Sequence, residues 1–308
     1  MDLDAWVPLV LPLAAWPLAR AVAPHLPPRA ASWLLTGGCL VLALASTATL
    51  AFQAVAGLAL LPPIARAGHW SPDTIRSLES TSVPVAVVSG ILLLVLSVTG
   101  SLAVDRYVRW LRELTRELDR HQPGPGVVVL PEDEPVAFAA PGRGGRIAVS
   151  HGMLHALDTR EREALLAHEK AHLRLRHHYF LAAISISGVL NPLLRPLSAA
   201  AAFALERWAD EAAARHVGDR TLVATAVAKA ALAGRPRPGF ALAATGGPVP
   251  RRVTALLDTP ARQLPAALLS GLLILGVTVW SAGTALDGAT DLHAGIETAQ
   301  AGADRHAH

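Results

Sequence analysis

The sequence predicts a mainly α-helical membrane protein with four transmembrane helices and, between the third and fourth, a cytoplasmic α+β domain built on a small β-sheet. Three observations carry this. The 308 residues are 52% hydrophobic and 17% charged, with a mean hydropathy of +0.39, a balance foreign to soluble enzymes. Several charge-free runs reach the roughly 20 residues a helix needs to cross a bilayer core. Between them lies a polar stretch in which short strand-like segments lead into a charged helix.

The spans fall at about 5–26, 32–62, 82–104 and 263–286. The first, "AWVPLVLPLAAWPLA", is interrupted by proline, which neighbouring helices tolerate, and its tryptophans suit an interface. Asp2 and Asp4 stand where a signal peptide would be positive. The other three runs are unbroken: "WLLTGGCLVLALASTATLAFQAVAGLALL", "VPVAVVSGILLLVLSVTGSLAV" and "LPAALLSGLLILGVTVWSAGTAL". Trp6, Trp16, Trp33, Trp70 and Trp280 near the span ends fit an aromatic belt.

Arginines give the orientation, because they gather in short cytoplasmic loops. Arg20 and Arg29 follow the first span, Arg106, Arg109, Arg112, Arg116 and Arg120 follow the third, and Arg251, Arg252 and Arg262 precede the fourth. The N-terminus is therefore outside, residues 105–262 are cytoplasmic, and 287–308 form a short extracellular tail. A further apolar run, His177 to Glu206, is broken by Asn191, Pro192, Arg195 and Pro196. A single crossing there would carry the later arginines to the wrong face. Residues 178–204 are thus expected to form a helical hairpin or a membrane-skimming segment that returns to its starting face, immersed in lipid or folded onto the domain.

Charge and cysteine exclude several classes. The pI near 9.6 comes from arginine, Lys170 and Lys229 being the two lysines, and no basic run interleaved with aromatics points to nucleic acid. Cys39 is the single cysteine, so there is no disulfide and no thiolate metal cluster. The clear spans hold no ionisable residue of the kind that marks an ion path, which argues against a transporter. No feature specifies an oligomeric state.

Within the domain, Val127–Leu130, Val136–Ala140 and Arg146–Val149 are punctuated by Pro and Gly as short strands. A helix follows from Asp158 or Thr159 through Arg176, with Asp158 and Glu161 spaced as a capping box. It carries "HEKAH". Residues four apart share a helix face, so His168 and His172 offer two imidazoles to one zinc ion, and Glu169 lies beside them as a general base for water. The alternative is an ordinary basic surface helix that happens to hold two histidines. A catalytic zinc needs a third ligand. "ERWADEAA" supplies Glu206, a carboxylate at the end of an apolar run where a lone charge is costly, and Asp210 one turn later to orient a ligating histidine.

"AFAAPGRGGRIAVSHGMLHAL", "LLAHEKAH", "LNPLL" and "ERWADEAA" together resemble the core of membrane-embedded gluzincin peptidases. The likeness is closer to the BlaR/MecR type, peptidase family M56, and more distant to the Ste24/HtpX type. The interval of 34 positions from His172 to Glu206, the Asn191-Pro192 pair within it and the placing of the spans favour the former. The resemblance implies a zincin-like domain, one Zn2+ per chain held by His168, His172 and Glu206, Glu169 as base and Asp210 as the partner of a ligand. It also implies a substrate strand pairing with Val136–Ala140 or Arg146–Val149. The chain departs from the best-known members in lacking their penicillin-binding sensor: 22 residues follow Leu286, and no serine stands three positions before either lysine.

The functional expectation is a multi-pass zinc endopeptidase of a bacterial inner or plasma membrane, cutting a cytosolic or membrane-proximal protein, with a transcriptional repressor as one such substrate. The competing reading is a catalytically silent sensor or scaffold. Arg215 and His216 are candidates for stabilising the oxyanion, His216 being named for that role. His151 and His155 read as surface or packing residues, and His177 and His178 as interfacial anchors.

Overall fold

The computed structural model describes residues 26–68, 83–142, 144–234 and 249–258, together with positions 9, 11–13, 17, 276, 279, 283 and 290. Nearly all of the expected first and fourth spans, and of the tail, lie outside the described residues.

Among the described residues, two helices are long and apolar enough to cross a membrane. These are α1, Pro28–Ala59, and α3, Val83–His121, with the short α2, Pro62–Gly68, after the first. They match the expected second and third spans, and α3 runs on past its apolar half into the arginine-rich segment. α1 and α3 pack antiparallel: Gln53 accepts from Ser89 Oγ at 2.6 Å, and Gly57 faces Ala86 so closely that a Cβ at Gly57 would stand 2.0 Å from the alanine methyl. Close backbone approach through small residues is how helices associate in lipid. The apolar part of α3 exposes Val87, Val88, Ile91, Leu94 and Val95, an uncovered apolar surface.

The small sheet follows: β1, Gly126–Leu130; β2, Ala137–Ala140; β3, Arg146–Ser150. Its order is β1-β3-β2, with β3 parallel to β1 and antiparallel to β2. β3 is hydrogen-bonded on both sides and buried along its whole length, so of the two segments expected to offer a substrate edge, Arg146–Val149 is corrected: its backbone groups are already paired. β2 has one edge outside the sheet. The face toward α3 is filled by Leu118, Val128, Leu130, Ala140 and Ala148.

Six α-helices and one 3-10 turn follow the sheet among the described residues. α4, His151–Ala156, is capped by Ser150 Oγ. α5, Thr159–Arg174, starts with the expected capping box, the Asp158 carboxylate accepting from Glu161 N and the Glu161 carboxylate from Asp158 N, each at 2.9 Å. Arg176 turns the chain in the left-handed region, φ 55°, into α6, His177–Leu190. Asn191-Pro192 ends α6, and a 3-10 turn over Pro192–Leu194 leads directly into α7, Arg195–Val217. α8, Arg220–Ala233, and α9, Val249–Leu257, close the domain.

α6 and α7 form a hairpin, as the Asn-Pro break predicts: Ser198 Oγ donates to Ile184 O at 3.0 Å, and His177 at one end lies 5.0 Å from the Trp208 ring. The hairpin packs along α1. Leu35, Cys39 and Leu42 of α1 share one core with Phe180, Ile184, Leu197 and Leu205.

Candidate metal centre

The site grows from the contact of α5 with α7. Ala171, Ala209 and Ala212 form one buried cluster at that seam, and Ala164, Ala167, Ala213 and Ala214 belong to a neighbouring one. Methyl groups let the two backbones approach closely, so short side chains from each reach a common point.

His168 Nε2 lies 3.1 Å from His172 Nε2, and the two carboxylate oxygens of Glu206 divide between them, Oε2 lying 3.5 Å from His168 Nε2 and Oε1 3.5 Å from His172 Nε2. The three ligand atoms lie within 4.8 Å of one another. Zinc bonds about 2.0–2.1 Å long at tetrahedral angles separate their ligand atoms by about 3.3 Å, close to the spacing of the two imidazole nitrogens and of each from its nearer Glu206 oxygen. The back of each ring fits too. His168 Nδ1 lies 2.9 Å from Asp210 Oδ1, which turns its Nε2 toward His172. His172 Nδ1 lies 3.0 Å from His177 Nδ1, which likewise leaves Nε2 for the centre. Two imidazole nitrogens and a carboxylate converge on one point, a donor set that fits a metal ion.

Electrostatics point the same way. Burial opposes charge on His168, yet its contacts with Asp210 and Glu206 outweigh this and raise it to about 10. Burial lowers His172 to about 4. Glu169 is buried on the same turn, and burial raises its pKa, against the pull of His168 and a backbone hydrogen bond from Ala139 of β2. Glu206 and Asp210 are also buried, which favours their neutral forms, but Arg252 holds both well below the usual carboxylate range.

Arg252 was read from sequence only as a marker of topology. It stands in α9 and is itself nearly buried: Nη1 is 2.9 Å from Glu206 Oε2, Nη2 2.7 Å from Asp210 Oδ1 and Nε 2.8 Å from Asp210 Oδ2. One guanidinium thus bridges both carboxylates, with a two-pronged grip on Asp210. Arg220 fastens α9 in turn, donating to Ala255 O and Leu256 O and pairing with Glu211.

His177 is the second residue whose setting differs from expectation. It is 0% exposed, between His172, Phe180 and Trp208, with burial holding its pKa down to about 3, so it is a buried neighbour of the centre and not an interfacial anchor. Its fifth-position spacing after His172, across the turn at Arg176, hid this contact from helical periodicity. His216 is corrected as well. It and Arg215 are exposed near the end of α7, His216 about 15 Å along the axis from Glu206, and the fold does not bring it to the ligand group. His151 and His155 are exposed, as expected of surface residues.

Comparison with known proteins agrees with this chemistry. The model of peptidase family M48 matches residues 103–189, from the charged C-terminal part of α3 through the sheet and α5 into α6. A curated relative, a protease HtpX homolog of Aquifex aeolicus (strain VF5), is 40% identical over 72 residues, 22% of this chain and 24% of that protein. The match thus spans about a quarter of the relative's length. No solved structure matches. The chain is therefore similar, over the segment that carries HEKAH, to the M48 metallopeptidases, the Ste24/HtpX type that the motifs placed second. Glu206, Asp210 and Arg252 lie beyond that segment, and the geometry alone joins them to it.

Proposed function

We propose that the protein is an integral-membrane zinc-dependent endopeptidase. The convergence of His168, His172 and Glu206 within one ion's reach, with Glu169 on the same turn of α5, is the observation that carries this reading. Zinc held by His168 Nε2, His172 Nε2 and the Glu206 carboxylate would supply a Lewis acid for the peptide carbonyl and for water.

The chain's own residues do the rest. Burial raises Glu169 toward neutrality, which suits a group that takes a proton from water and returns it to the leaving amine. Ala139 N–H orients that carboxylate. Because β2 touches α5 while its outer edge is free of the sheet, an extended substrate pairing there would pass alongside Glu169. Asp210 and His177 hold the two imidazoles, and Arg252 keeps Glu206 and Asp210 ionised.

The substrate class is a protein in the cytosol or close to the membrane, with α1 and α3 crossing the bilayer and the domain on the arginine-rich side. A repressor substrate would follow from the BlaR/MecR likeness, which rests on motif spacing alone. In vesicles holding the purified protein and one zinc per chain, Glu169→Gln should retain the metal and lower peptide cleavage by about 10²–10⁴-fold. Undiminished cleavage by that variant would refute the assignment, and a wild-type protein that binds zinc but cuts nothing would favour the silent-scaffold reading.

A further inference from the structure

The α6–α7 hairpin can be levelled against the two long helices. Gly57 faces Ala86 and Gln53 pairs with Ser89, so residues of α1 and α3 at one height have numbers summing to about 143. Asp105, where α3 turns from apolar to charged, is then level with about residue 38 of α1, and Val83 with about residue 60. The slab between them is about 33 Å thick at 1.5 Å per residue, close to the roughly 30 Å of a bilayer core.

The hairpin straddles the inner boundary of that slab. Phe180 packs on Trp33, below the boundary; Ser198 meets Cys39, at it; Asn191 Nδ2 donates to Ser46 Oγ at 3.0 Å, about 12 Å above it; and Leu190 packs at Gly100 of α3. The outer face of the hairpin is apolar and uncovered among the described residues. Tyr179, Ile186 and Leu193 repeat every seven residues with 63%, 37% and 44% of their surfaces exposed.

We infer that this hairpin is re-entrant: its apex, Asn191 to Arg195, is immersed in the acyl chains of the cytosolic leaflet, continuous with the lipid-facing surface of α3. Two features suit that depth. The free backbone of the turn is capped internally, Asn191 Oδ1 accepting from Leu193 N, as hydrocarbon requires. Arg195, whose stem packs on Gly188, stops the apex short of the far leaflet, since an arginine is tolerated only where its head can reach the headgroups. Glu206, eight residues beyond Ser198 on α7, then sits about 12 Å to the cytosolic side of the same boundary. One helix joins lipid contact to the metal centre.

The inference rests on α1 and α3 crossing a bilayer and is independent of proteolysis, so its test uses no activity. In a Cys39→Ala background, Tyr179→Cys, Ile186→Cys, Leu193→Cys, Val95→Cys and Arg112→Cys are each labelled with an environment-sensitive fluorophore. The full chain is reconstituted in phosphatidylcholine vesicles carrying a nitroxide at the headgroup or midway down the acyl chain. Leu193 should be quenched by the mid-chain nitroxide within about twofold of Val95, Ile186 by the shallower one, and Tyr179 and Arg112 weakly by either. Quenching at Leu193 no stronger than at Arg112 overturns the inference. A wet signal there means the hairpin lies in water, and a dry but unquenched one means protein covers it, either residues 263–286 or a second copy. Loss of quenching at Val95 itself would remove the membrane reading beneath it. Near-wild-type zinc stoichiometry in each labelled variant establishes that it folded.

Discussion

His168 and His172 project from successive turns of α5 into the same centre, but their backs rest on different kinds of support. Behind His168 stands an ionic assembly: Asp210 at 2.9 Å, itself gripped by Arg252, which also holds Glu206. Behind His172 stands a neutral aromatic one, in which His177 lies against the Trp208 ring. The first side raises its imidazole to about 10 and the second lets burial lower its imidazole to about 4. Two residues that the motif treats as equivalent therefore differ in what removing their support should cost.

The largest effect is expected on the ionic side. Arg252→Ala leaves two buried carboxylates without a counter-charge and should destabilise the chelator-treated protein by about 3–5 kcal/mol, read as a fall in Tm, with zinc restoring part of it. A variant as stable as the parent would show that the carboxylates do not depend on Arg252. Next, Asp210→Ala should weaken zinc binding about 100-fold and His177→Phe, which keeps the aromatic contact with Trp208, about 10-fold, measured by competition with a chelating dye. The reverse order would break the comparison.

The pH dependence sharpens it further. His168 has its folded pKa raised from 6.5 to about 10, so its stabilising contribution to the chelator-treated protein is full below 6.5 and is lost as pH rises through about 10. His172 and His177, lowered to about 4 and about 3, act in the opposite sense, favouring the fold above 6.5 and losing that contribution as pH falls through those values. Thermal melts from pH 6.5 to 10 should thus show a decline that zinc-loaded protein lacks, and zinc uptake at neutral pH should release a proton, detectable by calorimetry in buffers of different ionisation enthalpy. The smallest effect is at His216: exposed and remote, its change to Ala should leave cleavage within about twofold of wild type.

Local signals made half of this legible. The Asp158–Glu161 box announced α5, the four-residue interval put His168 and His172 on one face, and Asn191-Pro192 marked the hairpin turn. Glu206 stood out because a carboxylate at the end of an apolar run needs a partner, and Asp210 because it follows one turn later on the same face. Arg252 carried no such signal: it is 42 residues from Asp210, across α8, and an arginine before an apolar run reads as a topogenic charge. Strand segments could be found by their punctuation, but the order β1-β3-β2 decides which is the edge, and order depends on long-range pairing. His177 was missed because a left-handed residue at Arg176 breaks the helical phase that placed its neighbours.

The alanines between α5 and α7 have a consequence of their own. They set the gauge of the metal triangle: one extra methylene at Ala171, Ala209 or Ala212 would wedge the helices apart and stretch the gap between Glu206 and the imidazoles while every ligand stayed in place. Inspection of the motif would find such a chain intact. Its fault would lie in spacers that have no reactive atom at all.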